Sequence, residues 1–304
     1  MSENNKSARF IKAGSFWGEL EDISCPICSS PSNPKLIFRK SNGVGLWKCP
    51  GCDVMYASPR FTKESLEKIY ENEAFTDLSI YNSWSYHKWR ESKDRSYTVS
   101  NLKVQLLKRF LSEGERVLDV GCATGLFVLE ATKQGFKVEG LDPSRMLIET
   151  GRRVLEIPLH HGSLEEFDPE YKFKGVVFWD VLEHVYNPIV LLSRCNYLME
   201  QGGYLFIQVP HYKGISNRMK TFGCRLGLKR SDFKHFGFPH HLYSFNKKSI
   251  SVLMNRTGYK PIHFESWSHQ LKDGAKGVVS NTAIWFFRKT CLSDYIICIA
   301  QKDK

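Results

Sequence analysis

The chain has 304 residues, of which 42% are hydrophobic and 25% are charged, so disordered, collagen-like and coiled-coil proteins are excluded. Its apolar runs are too short to cross a bilayer, and nine cysteines without a signal-peptide pattern favour reduced thiols and a cytoplasmic location. The net charge of +11 is carried by residues 201–304, which hold 17 Lys and Arg against 5 Asp and Glu, so this region is expected to meet an anionic partner or to aid solubility.

Two closely spaced cysteine pairs lie in the first 60 residues. They are Cys25 with Cys28 and Cys49 with Cys52, each with two residues between the cysteines, a spacing that gives the tetrahedral four-sulfur set favoured by Zn²⁺. Such a closed set predicts a structural zinc ion, and the alternative is a pair of redox dithiols. Two short strands, 34–38 and 45–48, are expected to flank a hairpin turn at Asn42 and Gly43, and Gly51 is expected to supply left-handed backbone.

Two helices are predicted after the cysteine pairs. The first begins at Thr62, whose hydroxyl can cap it, and runs to Tyr70. The second covers 89–111 and carries an apolar stripe on one face, formed by Val99, Leu102, Leu106 and Phe110.

From residue 116 onward, short apolar runs alternate with helical stretches. The runs are 117–120, 137–141, 158–161, 175–179 and 204–209, with helices at 124–134, 144–155, 188–199 and 249–257 and two last strands at 259–265 and 295–300. This alternation indicates an α/β fold with a parallel, doubly wound sheet and helices on both faces. The chain is thereby divided into a flexible arm (1–20), a zinc ribbon (21–60), a helical connector (61–112) and an α/β domain (113–304).

The first strand of the α/β domain leads into a glycine-containing loop and then a helix. Gly121 and Gly125 permit a tight turn and a close approach of a ligand to the backbone. Asp142 ends the next strand, where a carboxylate can accept hydrogen bonds from ribose hydroxyls. NAD(P) and S-adenosylmethionine both fit this outline. Asp119 opposes a pyrophosphate and suits a ligand that carries an ammonium and a sulfonium, which favours S-adenosylmethionine.

Four blocks in this order, 117–125, 140–144, 177–188 and 202–207, resemble the class I S-adenosylmethionine-dependent methyltransferases. The resemblance implies a Rossmann-like, seven-stranded sheet and a cofactor site formed by Asp119, Gly121, Cys122, Ala123, Gly125, Asp142, Pro143, Ser163, Leu164, Trp179 and Asp180. The methionine end would lie on Asp119, the ribose on Asp142, and the adenine near Pro143. The ribbon and residues 239–245 resemble ribbon-fused methyltransferases of sugar and cell-surface polysaccharide biosynthesis.

Histidines after the fourth and fifth strands are the candidate general bases, because methyl transfer to a hydroxyl requires removal of a proton. His184 follows Glu183 and can act as a base or support the wall of the cofactor site. His240 and His241 lie in a loop at the carboxyl edge of the sheet, with Tyr243 close by to orient a substrate. The related sugar C-methyltransferases carry Glu where His240 stands, so the resemblance favours O-methylation with His241 as the base. The alternative is a structural loop.

Residues 211–234 contain seven basic side chains and one acidic side chain. The pattern is that of an amphipathic helix, with Ile215, Met219, Phe222 and Leu226 opposite Arg218, Lys220, Arg225 and Lys229. Three roles are open for it: a lid that binds substrate phosphates, a helix on an anionic membrane, and a solvated helix packed on the domain.

The predicted function is therefore O-methylation of a sugar or glycan precursor, a small molecule that carries phosphate. The zinc ribbon and basic surface also resemble a ribosomal RNA base methyltransferase, although the aromatic residues do not interleave with the basic run as stacking platforms would. A third interpretation is a non-catalytic interaction protein with a vestigial cofactor site. The sequence makes no prediction about the oligomeric state.

Overall fold

The computed structural model describes residues 9–13, 16–29, 33–39, 43–71, 95–226, 236–237, 241–267 and 289–303. Short strands and two helices form its N-terminal part. They are β1 Arg9–Ala13, β2 Phe16–Glu21, β3 Lys35–Arg39, β4 Gly45–Lys48, β5 Met55–Ser58, β6 Arg60–Phe61, α1 Lys63–Glu71 and α2 Arg95–Leu107.

Strands and helices alternate in the rest of the described chain. The strands are β7 Arg116–Val120, β8 Lys137–Asp142, β9 Leu159–His161, β10 Phe173–Trp179, β11 Met199–Pro210, β12 Tyr243–Ser244, β13 Tyr259–Trp267 and β14 Tyr295–Lys302. The helices are α3 Leu126–Lys133, α4 Arg145–Leu155, α5 Pro188–Leu198, α6 Ile215–Arg225 and α7 Lys247–Arg256. Among the helices of the described residues, none is long and apolar enough to cross a membrane.

Seven strands form one sheet in the order β13-β14-β11-β10-β7-β8-β9. Strands β7 to β11 pair in parallel, whereas β14 runs antiparallel to both β11 and β13. This sheet confirms the predicted doubly wound α/β fold. The chain order reverses between β7 and β10, and ligands bind at the carboxyl ends of the strands beside such a reversal.

The ribbon forms a second sheet in the order β12-β5-β4-β3. Strands β3 and β4 pair antiparallel, close to the hairpin that the sequence predicts, although residues 40–42 of its turn lie outside the described residues. Strand β5 was not expected, and it pairs antiparallel with β12 from the far end of the chain. The ribbon and the α/β domain therefore share one sheet.

A third, three-stranded sheet has the order β1-β2-β6. Its strands β1 and β2 come from the segment predicted to be a flexible arm, so residues 9–13 and 16–20 of that segment are in a sheet. Strand β2 lies in the middle, where it pairs antiparallel with β1 and with the two-residue strand β6. The division of the chain at residue 20 stays a prediction.

The hydrophobic core is continuous between the ribbon and the large sheet. One buried cluster contains Ile27 and Val54 from the ribbon, Leu118 and Ile207 from the large sheet, and Phe245 beside β12. Burial of this joint core removes the facing apolar surfaces of the ribbon and the large sheet from water, which stabilises the contact between them.

Helix α2 buries Val99 and Leu106 of the predicted stripe but leaves Leu102 exposed. Leu102, a member of the predicted stripe, is 45% exposed, whereas Lys103 is buried and lies beside the equally buried Val104. The helix ends at Leu107, and residues 89–94 of the predicted helix lie outside the described residues. The predicted stripe is wrong at Leu102 because a buried lysine lies on the face that was assumed to be apolar.

Candidate functional site

The loop between β7 and α3 turns tightly at the carboxyl edge of the large sheet. Gly121 and Gly125 have φ angles of 75° and 82°, a backbone conformation that favours glycine. A Cβ at Gly121 would lie 2.5 Å from Cγ2 of Val181, so a larger residue there would displace the loop that follows β10. Cys122 is buried, and its sulfur lies 3.7 Å from the carbonyl oxygen of Ala123. The two loops are therefore held in close contact.

Asp142 at the end of β8 holds this loop in place. Its Oδ2 accepts a hydrogen bond from the Ala123 amide at 2.9 Å, and its Oδ1 accepts one from the Ser144 amide at 2.8 Å. Burial raises the pKa of this carboxyl, and the two hydrogen bonds oppose that rise. The residues predicted to contact adenine lie near Asp142 along the same edge of the sheet; they are Pro143, Ser163 and Leu164.

Four ionisable side chains meet where β7 and β10 end. Asp119 belongs to β7, Asp180 and Glu183 follow β10, and Lys103 reaches the same place from α2. Burial raises the pKa of Asp119 to about 7; the charge of Lys103 opposes this rise and that of Asp142 adds to it. Burial also raises the pKa of Asp180 and Glu183 and lowers that of Lys103.

Several polar atoms at this edge are buried and make no hydrogen bond within the described part of the chain. They are Nε1 of Trp179, Oδ1 of Asp180 and both carboxylate oxygens of Glu183. The other oxygen of Asp180 accepts a hydrogen bond from Nε2 of Gln208 at 2.7 Å. Because buried polar groups are nearly always paired, these atoms indicate a place where a polar ligand fits.

His184 and His241 lie against each other beside Glu183. Their rings meet edge to face with centroids 4.7 Å apart, and Nε2 of His184 lies 4.0 Å from Oε1 of Glu183. The Leu242 amide donates to the Glu183 carbonyl at 2.7 Å, which fixes the loop that carries His241. The three side chains offer ligand atoms within 4.8 Å of one another, close enough to pass a proton or to hold a cation. His240 lies outside the described residues.

Tyr243 connects this loop to the N-terminal part of the chain. Its buried hydroxyl donates to the carbonyl of Tyr186 at 2.8 Å and accepts a hydrogen bond from the Arg60 guanidinium at 2.7 Å. Arg60 also donates to the carboxylate of Glu21 at 2.9 Å. Burial raises the pKa of Tyr243 to about 12, so its hydroxyl stays protonated and engaged in these bonds. This placement suits a residue that positions the loop.

The four ribbon cysteines lie together. Their neighbouring sulfurs are separated by 3.4 Å (Cys28–Cys49), 3.6 Å (Cys25–Cys52) and 3.7 Å (Cys25–Cys28). Four sulfurs at 2.3 Å from a central Zn²⁺ would be about 3.8 Å apart in a tetrahedron, so the set fits this ion. The left-handed residues are Ser29 and Asp53, each directly after the second cysteine of a pair, and the expectation for Gly51 was wrong. The chain reverses at Asp53, whose amide bonds the Cys49 carbonyl.

The comparison with known families decides between the interpretations of this site. Residues 90–263, more than half of the chain, match the family model described as a methyltransferase domain. The chain belongs to this family. It is a class I S-adenosylmethionine-dependent methyltransferase, and S-adenosylmethionine is its methyl donor. The enzyme interpretation is thereby confirmed, and the non-catalytic alternative is not supported.

Two curated relatives and one solved structure illustrate the likeness. The ubiquinone biosynthesis O-methyltransferase of Nitrosococcus oceani is 26% identical over 195 residues, which cover 58% of this chain and 82% of the relative. The protein of that name from Bradyrhizobium sp. is 33% identical over 167 residues, 51% of this chain and 66% of the relative, just under two thirds of its length. A solved S-adenosylmethionine-dependent methyltransferase from Thermotoga maritima, described as a possible histamine N-methyltransferase, shares the fold. It is 17% identical, with a TM-score of 0.51 over 79% of this chain and 100% of that one.

Lys103 is a residue of this methyltransferase site that motif spacing does not reveal. Its ammonium lies 4.9 Å from the ring centroid of Trp179 and is attracted by the charges of Asp180 and Asp119. The sequence offers one indication of its position: Lys103 lies four residues after Val99, so both side chains are on the face of α2 that turns toward the core. Arg60 gives no such signal, because all of its partners lie far away in the sequence.

Proposed function

We propose that this methyltransferase transfers a methyl group to a hydroxyl of a small-molecule acceptor, with His241 as the general base. The observation that carries the proposal is the contact of the His184 and His241 rings, 4.7 Å between centroids, at the edge of the sheet where Asp119 and Asp142 also lie. A histidine is suited to take a hydroxyl proton near neutral pH.

The cofactor contacts follow from the buried charges at this edge. S-adenosylmethionine supplies an electrophilic methyl group on its sulfonium. Asp119 accepts a hydrogen bond from the ammonium group at the methionine end of the cofactor. Lys103 pairs with the carboxylate at the same end of the cofactor. These two contacts offset the energetic cost of burying the charged side chains of Asp119 and Lys103. Asp142 accepts hydrogen bonds from the ribose while the amides of residues 123 and 144 fix its orientation. The further contacts proposed are Gly121, Cys122, Ala123, Gly125, Pro143, Ser163, Leu164, Trp179 and Asp180.

The chemical step depends on the loop that carries His241. The acceptor oxygen would bond to the methyl carbon while the methyl–sulfur bond breaks, and the neutral thioether S-adenosylhomocysteine would leave. His241 takes the hydroxyl proton, so the positive charge of the sulfonium would pass to the imidazolium. His184 packs on His241 and orients its ring, and Glu183 lies beside the pair, with its Oε1 4.0 Å from Nε2 of His184. Tyr243 holds the loop in place through its buried bonds, and His240 is proposed to orient the acceptor.

The identity of the acceptor is the most specific part of the proposal. A small molecule is supported by the relatives, whose names refer to O-methylation in ubiquinone biosynthesis. A sugar or glycan precursor that carries phosphate is supported by the resemblance of residues 239–245 and the ribbon. In the same proposal the ribbon cysteines hold a structural Zn²⁺, and the enzyme acts in the cytoplasm.

The test is a screen with radiolabelled S-adenosylmethionine across nucleotide sugars, phenols and RNA. His241→Ala is expected to lower the turnover of the best acceptor by about a hundredfold, the usual scale for loss of a general base, with the affinity for S-adenosylhomocysteine unchanged. The matched control is His263→Ala, a histidine on β13 that pairs with Glu265. Full turnover in His241→Ala, or methylation of RNA alone, contradicts the proposal.

A further inference from the structure

A cavity of about 880 Å³ lies between the ribbon sheet and α6, and we name it the ribbon groove. Ile37 of β3 and Met55 of β5 line its ribbon side, and Met219 and Phe222 of α6 line the opposite side. Its volume lies within the range of sites that bind small molecules.

The α6 wall of the ribbon groove keeps apolar side chains in water. Met219 is 69% exposed and Phe222 is 63% exposed, although both line the groove. Apolar surface exposed in a concave site favours a ligand that removes it from water. The groove therefore suits a flexible chain of carbon atoms.

Cationic side chains lie among the apolar walls. Lys48 pairs with the Asp53 carboxylate at 2.6 Å, and Lys213 pairs with the second oxygen of that carboxylate. One carboxylate cannot neutralise both lysines, and Arg218 of α6 adds a further positive charge to the lining. An excess of positive charge beside an apolar wall complements an anion attached to an apolar chain, and a guanidinium binds phosphate with two hydrogen bonds.

One residue that lines the ribbon groove is adjacent in sequence to a contact of the proposed general base. Phe236 lines the groove, and the next residue, Gly237, accepts a hydrogen bond from the His241 amide at 3.1 Å. A Cβ at Gly237 would lie 2.5 Å from Nδ1 of His241, so the backbone that leaves the groove touches the imidazole ring. The proposed base therefore lies next to the segment that carries Phe236, a lining residue of the groove.

We propose that the ribbon groove binds the apolar chain and the phosphate of an amphiphilic acceptor, whose hydroxyl head then reaches His241. This inference rests on the proposed function and specifies its substrate class as an alkyl or isoprenoid chain that bears a phosphate. Met219 and Phe222 cover the chain, and Arg218 binds the phosphate together with the lysines of the groove.

The probe is a series of n-alkyl phosphates, measured by calorimetry on the full chain loaded with S-adenosylhomocysteine. The Kd is expected to fall by up to about fourfold for each added methylene until the groove is filled. Inorganic phosphate and n-decanol, which each supply half of the ligand, should bind more weakly than n-decyl phosphate. Met219→Asp and Arg218→Ala should each weaken n-decyl phosphate about tenfold or more.

Two variants, one on α6 and one directly after it, serve as matched controls. Leu226→Asp alters an exposed apolar residue that does not line the groove, and Lys220→Ala removes a cation that does not line it either. Both should leave the Kd of n-decyl phosphate unchanged. Binding that ignores chain length, or that persists in Met219→Asp, overturns the inference.

Two further outcomes are informative. Sedimentation of the protein with phosphatidylglycerol vesicles, without binding of monomeric n-decyl phosphate, would overturn the inference in favour of a membrane surface on α6. Binding of S-adenosylhomocysteine to the wild-type chain separates failure of the groove inference from failure of the proposed function. If S-adenosylhomocysteine binds but alkyl phosphates do not, only the groove inference is refuted. If S-adenosylhomocysteine does not bind, the proposed function itself is refuted.

Discussion

Two regions of the molecule differ in how far apart their contacting residues lie in the sequence. We call them the cofactor edge (residues 119–125 with 142) and the ribbon junction (residues 53–61 with 242–246). At the cofactor edge, Asp142 bonds the Ala123 amide across 19 residues. At the ribbon junction, Arg60 bonds Tyr243 across 183 residues, and Asp53 bonds Asn246 across 193. The cofactor edge consists of one strand–loop–helix unit and the strand next to it. The ribbon junction forms only when distant parts of the chain meet.

This difference explains why the sequence predicts one region well and the other poorly. The cofactor edge needs glycines and acids at fixed short spacings, and these can be read directly from residues 117–142. The seven strands of the large sheet are likewise marked by apolar runs, and all of them were found in the structure. Short-range patterns therefore specify the fold and the edge at which the cofactor is expected.

The ribbon junction carries no comparable pattern. Strand β12 has only two residues, too few to show an alternation, and the four residues of its partner β5 are all buried, so they show none either. The side chain of Tyr243 was expected near the substrate, yet its hydroxyl is committed to Arg60 and Tyr186. Such pairings depend on packing of the complete core, which periodicity in one sequence does not reveal.

The largest effect is expected from breaking the metal site. Cys28→Ser should release zinc, because the tetrahedral set loses a thiolate, and should unfold the ribbon, since structural zinc supplies about 10–16 kcal/mol in small zinc domains. Because β5 holds β12, methyl transfer should then be lost as well. Metal analysis, turnover and hydrogen exchange of residues 55–58 and 242–244 measure the three effects.

The matched control for this variant is Cys291→Ser, which changes a half-buried cysteine outside the cluster. It should keep one zinc per chain and full turnover. Zinc retained in Cys28→Ser would show that the four sulfurs are not the metal site. Full turnover after zinc loss would show that the ribbon junction does not hold the loop of His241.

A smaller effect is expected at the cofactor edge. Asp142→Ala should weaken S-adenosylhomocysteine by about 1.5–3 kcal/mol, or roughly 10- to 150-fold, because the ribose loses charge-assisted hydrogen bonds in a buried site. Calorimetry measures this loss, and zinc content should stay at one per chain. An unchanged affinity would mean that the ribose is bound elsewhere.

The smallest effect concerns the pH dependence of cofactor binding. The pKa of Asp119 is raised to about 7, so between about pH 6 and pH 8 it changes from the neutral to the charged form while Lys103 and Asp142 face it. The affinity for S-adenosylhomocysteine, with its ammonium, should therefore rise with pH by at most about tenfold per pH unit. In the cofactor-free protein the sign is opposite, because the folded state holds this proton more tightly and its stability falls as the pH rises toward about 7.

Asp119→Asn is the control for this pH effect, since an amide has no proton to lose. Its affinity for S-adenosylhomocysteine should be weaker and nearly independent of pH in the same range. A wild-type pH profile that is flat, or one that persists in the amide variant, would assign the titration to another group.

We expect the cofactor edge to bind the cofactor without help from the ribbon, and the ribbon junction to position the loop of His241, which meets the acceptor. The most direct test is the Kd of S-adenosylhomocysteine for the zinc-free Cys28→Ser chain, measured beside the wild type by calorimetry. We expect a Kd close to that of the wild type although turnover is lost, because Asp142 bonds the amides of residues 123 and 144 and the Gly121 amide bonds the Leu141 carbonyl, all outside the ribbon. Loss of S-adenosylhomocysteine binding together with the metal would contradict it and would make the ribbon a part of the cofactor site.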